Sequence, residues 1–118
     1  MRFRPEQHLR RQADFSRVRE RGRREQCEAF TLWHVARPAD EPQTTRAGFV
    51  ASRAAVGGAV ARNRAKRRLR EVFRHHQRLA PPGHDLLLVA RTALSRLAPA
   101  ALERKFADAC GKISPPAK

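Results

Sequence analysis

The residues whose types and spacing could do chemistry are concentrated between Ala59 and Arg74, AVARNRAKRRLREVFR. Seven of these sixteen positions are Arg or Lys. At helical spacing Arg62/Lys66, Lys66/Arg70, Arg70/Arg74 and Arg64/Arg68 form like-charge i, i+4 pairs, each repelling by roughly 0.2–0.5 kcal/mol. Glu71 is almost the only opposing charge. A solvated helix would interleave acids with these bases. A helix that accepts the repulsion points instead to phosphates that relieve it. Guanidinium forks grip phosphate bidentately and stack on bases, which an ammonium cannot do. Asn63, between two arginines, adds a donor and an acceptor.

Other chemistries find little support. A protein nuclease would need clustered carboxylates for metals, or two histidines placed as acid and base. The eleven acids are scattered, and His75-His76 are adjacent, so on a helix they point roughly 100° apart. No catalytic or metal-ligating set is assigned to the protein, and no cofactor. Gly57-Gly58 lacks the Lys-Ser/Thr of a phosphate-binding loop. Cys27 and Cys110 lie far apart and are read as reduced, buried thiols of an intracellular protein.

Composition agrees with a polyanionic partner. The 118 residues carry a net charge of +15 and a pI near 11.8. Nucleic acid is the first candidate and an acidic membrane surface the second. The 41% apolar content suffices for one modest core, hence one domain over residues 1–118. Residues 1–5 and 114–118 are expected to be flexible. The basic N-terminus lacks an apolar signal segment, and no apolar run approaches a membrane span, so the protein is expected to be cytoplasmic.

The elements that must position the basic stretch follow from periodicity. Ala61, Ala65, Leu69, Val72, Phe73 and His76 fall within an arc of roughly 120°, a buried stripe for a helix over residues 58–77. Arg62 sits at its edge. Pro5 stands where a helix could start, and a short amphipathic helix is expected between Glu6 and Arg21, with Asp14 as a cap and Gly22 as its stop. Arg23 to Gln26 is merely polar. Cys27 to Ala36 alternates as a strand, with Phe30, Leu32 and His34 on one side and Thr31, Trp33 and Val35 on the other. Arg37 to Thr45 is a loop, and Arg46 to Ser52 a strand that could pair with the first as an antiparallel hairpin. Asp85 to Arg91 is a continuous apolar run, a strand buried on both faces. A last helix follows Ser95 and runs to about Lys112, with Pro99 near its start. The fold class is α+β, a two-layer sandwich of order α-β-β-(β)-α-β-α, with a β-α-β crossover through the basic helix that is right-handed by default.

The run Ala61-Arg62-Asn63-Arg64-Ala65-Lys66-Arg67-Arg68-Leu69-Arg70-Glu71 resembles the RNR signature of the protein subunit of bacterial ribonuclease P. Arg46-Ala47-Gly48-Phe49-Val50-Ala51-Ser52-Arg53 resembles that family's strand before the signature. Asp14-Phe15-Ser16-Arg17-Val18 with Gly22 resembles its first helix, and Asp85-Leu86-Leu87-Leu88-Val89-Ala90-Arg91 its later strand. The resemblance implies a ribosomal-protein-like sandwich with a left-handed crossover. It implies a protein, monomeric within the holoenzyme, that assists a catalytic RNA subunit in removing the 5′ leader of precursor tRNA, with Mg²⁺ held at the RNA. By position, Arg62, Asn63, Arg64, Lys66, Arg67, Arg68 and Arg70 would meet RNA, and Phe15, Trp33, Arg46, Ser52 and Arg53 would line or border a leader cleft. Departures are Arg53-Ala54 where two lysines are frequent, Arg19 where an aromatic is frequent, and Trp33 where tyrosine is common.

Two other classes compete: a ribosomal or RNA-chaperone protein without a cleavage partner, and a DNA-binding helix for the major groove. The strand-rich scaffold and the missing turn-helix partner argue against the second.

Overall fold

The computed structural model describes residues 8–9, 11–41 and 44–113. The expected flexible ends, and Pro5 as a helix start, lie outside the described residues. The chain runs α1 (Gln12–Arg21), β1 (Arg23–Gln26), β2 (Phe30–Ala36), β3 (Arg46–Val50), α2 (Arg53–Val56), α3 (Ala59–His75), β4 (His84–Ala90) and α4 (Pro99–Gly111). Short 3-10 turns, Gln77–Leu79 and Thr92–Arg96, flank β4.

The strands form one sheet in the order β1-β2-β4-β3. The continuous apolar run is the reason. All but one residue of His84–Ala90 is buried, so this strand needs neighbours on both edges and cover on both faces. It therefore lies between β2, antiparallel with Trp33 opposite Leu87, and β3, parallel with Gly48 opposite Leu87. The hairpin expected between the two earlier strands does not form, because β4 takes the place each would have offered the other. Arg23–Gln26, which sequence marks only as polar, is an edge strand pairing Arg23 with His34 and Arg24 with Trp33. It carries no apolar alternation because it is exposed at nearly every position. The strand expected from Cys27 begins only at Phe30, after a turn in which the Cys27 amide donates to the Phe30 carbonyl.

The main core lies on one face. Phe30, Leu32, Ala47, Leu86, Leu88 and Ala90 meet Ala65, Leu69, Val72 and Phe73 of α3 and Leu102 and Phe106 of α4. Phe73 sits at the centre, edge-on to Phe49 at 6.2 Å and to Phe106 at 6.5 Å. The buried stripe of α3 thus follows its 3.6-residue period, with Ala61 half-buried at one end. On the opposite face a smaller cluster of Leu9, Val18 and Leu87 is joined by Phe15, Trp33, Val35, Val50 and Val89, so α1 covers only part of that face. Cys110 is buried, and burial pushes its thiol up to about 12; Cys27 is only partly covered.

Two glycines permit close approaches that fix α1. A Cβ at Gly22 would lie 2.3 Å from the Val18 carbonyl oxygen and 2.6 Å from that of His34, so the turn from α1 into β1 presses directly on β2. A Cβ at Gly48 would lie 2.5 Å from Cε1 of Phe15, so Phe15 rests on bare backbone there. Asp14 is not the cap. Arg11 occupies that position, and Asp14 lies in the first turn, 3.7 Å from Nη2 of Arg46.

Candidate nucleic-acid interface

Gly58 begins α3 without a side-chain cap, and no acid lies in the first turn. The positive end of the helix is therefore unneutralised where Arg62, Asn63 and Arg64 follow. Asn63, Arg64 and Arg67 are exposed, and Arg62 and Lys66 are half-buried. Among the described residues, Arg62, Arg64, Lys66 and Arg67 have no carboxylate partner. Nε of Arg62 is occluded without a hydrogen-bond acceptor. That leaves the two Nη groups as the outlet for its charge. Arg70 lies over the Phe49 ring at 5.8 Å, which holds its guanidinium at the border of α3 and β3.

Two basic residues of this helix are occupied within the fold. Arg68 donates from Nη1 to the Leu94 carbonyl and from Nη2 to the Leu97 carbonyl, tying α3 to the turn before α4. Arg74 pairs with Glu71 at 2.7 Å, and this bond holds the Glu71 carboxyl below its ordinary value. His75 faces Glu71 and His76 faces Glu103, so the two adjacent imidazoles diverge. Among the described residues no group of three or more His, Cys, Asp or Glu could hold a metal ion.

The second set of expected site residues divides. Phe15 and Trp33 share the sheet face opposite α3. In register across that face run Arg24, Trp33, Leu87 and Gly48, with Phe15 above Gly48. Val50, Val89 and Thr31 continue it as half-buried positions. The guanidinium of Arg24 lies 5.6 Å from the Trp33 ring centre. Arg24 was not singled out from sequence; a period-2 reading of Arg23–Gln26 against the Trp33 strand is the signal that could have found it. Arg46 is built into the fold: Nε and Nη2 each donate to Asp85 at 2.8 Å. Ser52 caps α2, its hydroxyl accepting from the Ala55 amide at 3.1 Å. Arg53 is exposed at the start of α2, without a carboxylate partner among the described residues.

Asp85 is the buried counter-charge of this end of the sheet. Besides Arg46 it accepts from Nη1 of Arg37 at 2.6 Å and from Nη1 of Arg17 at 3.4 Å. Burial pushes its carboxyl up, but the hydrogen bonds from Arg46 and Arg37 outweigh burial and hold it below the usual carboxylate value. The same bonds raise Arg46.

The sandwich scaffold is shared with solved proteins. The family model described as Ribonuclease P matches residues 3–114. The chain belongs to the bacterial ribonuclease P protein family. The ribonuclease P protein component of Streptomyces avermitilis is 45% identical over 85 residues, covering 66% of this chain and 68% of that protein. That of Syntrophobacter fumaroxidans is 39% identical over 97 residues, covering 81% and 78%. The solved ribonuclease P protein of Thermotoga maritima matches with a TM-score of 0.78 and 26% identity, over 91% of this chain and 97% of that one. The Staphylococcus aureus structure matches at 0.76 and 23% identity, covering 89% and 93%, a likeness of fold. Membership makes the chain a subunit of that endoribonuclease and a partner of the ribonuclease P RNA. Among its described residues no helix is long and apolar enough to cross a membrane.

Proposed function

We propose that this chain, as a single RNA-binding domain and one copy per holoenzyme, presents two surfaces to two RNAs. The unpaired cations of α3 dock on the catalytic RNA. The opposite sheet face, with Phe15 and Trp33, receives the single-stranded 5′ leader of precursor tRNA. The observation that carries this reading is the separation of the two residue sets onto opposite faces of one sheet. The α3 surface offers charge, suited to folded RNA backbone. The other face offers an indole with a guanidinium beside it, suited to unstacked bases. The protein then lowers repulsion between two polyanions and aligns the cleavage site, while Mg²⁺ at the RNA subunit supplies the chemistry. The setting is the cytoplasm.

The test is reconstitution. The protein is added to its cognate RNA at low Mg²⁺, and cleavage of precursor tRNA is timed. Stimulation is expected; its absence would remove the reading. Within that assay Trp33→Ala loses about 1–3 kcal/mol of the affinity difference between precursor and mature tRNA, the usual worth of one base stacked on an aromatic. An unchanged difference excludes Trp33 from the leader-binding face.

A further inference from the structure

A cavity of about 340 Å³ lies at the end of the sheet where α1 passes into β1, and it shares no residue with either set of RNA-contacting residues described above. Its wall includes Arg21, Arg23, Glu25, His34, His84 and Lys112. Each is placed by a different constraint. Arg21 ends α1 and Arg23 opens β1, on either side of Gly22, whose backbone is pressed against the His34 carbonyl. Arg23 is also the strand partner of His34. His84 opens β4 after Gly83, which takes φ of 73° to make the turn. Lys112 caps α4, where its amide and that of Ile113 close on the Ala109 and Cys110 carbonyls.

The charges around this cavity do not cancel. Among the described residues Arg21, Arg23 and Lys112 have no carboxylate partner, and Glu25 is the one acid in the wall, 3.2 Å from Nε2 of His34. The two histidines are buried, at 7% and 5% exposure. A carboxylate only accepts, so Glu25 holds the proton of His34 on Nε2; the Pro82 carbonyl, 3.0 Å away, holds that of His84 on Nδ1. The second nitrogen of each ring is then a hydrogen-bond acceptor, suited to an acidic hydroxyl. Three unpaired cations around a concave site, beside two imidazole acceptors, match an oxyanion that carries several oxygens and a hydroxyl.

We infer that this cavity is a second phosphate-binding site, separate from α3 and from the leader face. Its occupant is a phosphoryl group, from the RNA backbone or from a small phosphate compound. Inorganic phosphate is the probe, titrated into the full chain at constant ionic strength with chloride as the balancing anion. The imidazole NMR signals of His34 and His84 are followed against that of exposed His75. Saturable shifts at His34 and His84, absent at His75, are expected. The Arg23→Ala/Lys112→Ala variant, which alters two exposed side chains, should weaken the apparent affinity at least about tenfold, as removal of two charge-assisted hydrogen bonds requires. Non-saturating shifts in step with His75, or an unaltered titration in the variant, overturn the inference. The same variant, bound to the ribonuclease P RNA, separates the sources. A log–log salt slope shallower by about 1–2 identifies a backbone phosphate; an unchanged slope beside an abolished phosphate titration identifies a small phosphate compound.

Discussion

Asp85→Ala is expected to cost about 3–5 kcal/mol of folding stability, enough to unfold much of the population of a domain whose total is about 5–15 kcal/mol. The side chain of Asp85 is fully buried, and that of Arg37 is 2% exposed. Removing the carboxylate leaves Arg37 charged in the interior with its main partner gone, and leaves Arg46 with Asp14 at 3.7 Å as its remaining ion pair. Asp85→Asn keeps the shape and removes the charge, so it should approach the alanine result. Urea denaturation measures both. A midpoint within experimental error of the parent would show that the arginines do not depend on Asp85. The pH dependence has a definite sign. The folded carboxyl lies below its unfolded value of about 3.9, so its stabilisation is complete above that value and is lost as pH falls through the folded pKa. The parent should therefore lose stability below about pH 4. Asp85→Asn should lose less over that interval.

Replacing Arg62, Lys66 and Arg70 together by Ala should weaken binding to the ribonuclease P RNA about 100-fold near 0.15 M salt, and make the log–log salt slope shallower by about 2–3. The three residues form one i, i+4 row, and none has a carboxylate partner among the described residues. Every phosphate that this row no longer neutralises keeps its condensed counterion, which takes roughly one unit from the slope. An unchanged slope would contradict phosphate binding by this row. Arg68→Ala provides the contrast. Its guanidinium is bound to the Leu94 and Leu97 carbonyls, so the main expected change is a lower unfolding midpoint. The like-charge Arg64/Arg68 pair is accordingly tempered by backbone acceptors.

The elements with strong periodicity were legible from the sequence. The stripe Ala65, Leu69, Val72, Phe73 identifies α3, and the uninterrupted run from Asp85 identifies the central strand. What the sequence hid was pairing. Arg23–Gln26 has no apolar residue to mark it, because an exposed edge strand is held by backbone bonds to β2. The long segment between β2 and β3 disguised the insertion of β4 between them. The candidate site divides on the same principle. The charge density of α3 can be read directly. Which arginines face solvent and which satisfy buried acceptors depends on residues distant in sequence: Asp85 for Arg46, and Leu94 and Leu97 for Arg68. Trp33 was readable as half of a two-faced strand; its companion Arg24 was not, since only the β1–β2 register brings them together.

The position of β4 also governs when the molecule can fold during synthesis. Its residues emerge after those of the other three strands, yet they occupy the middle of the sheet and carry the acid that Arg17, Arg37 and Arg46 surround. A nascent chain that has exposed only β1 to α3 has two strand edges with no shared neighbour and three arginines without Asp85. Local helices can form at that stage, but long-range closure waits for residues 84–90 to leave the ribosome. The last of the described strands thus supplies the sheet's centre and its counter-charge in one step, so closure of the sheet and neutralisation of its arginines are coupled to one segment.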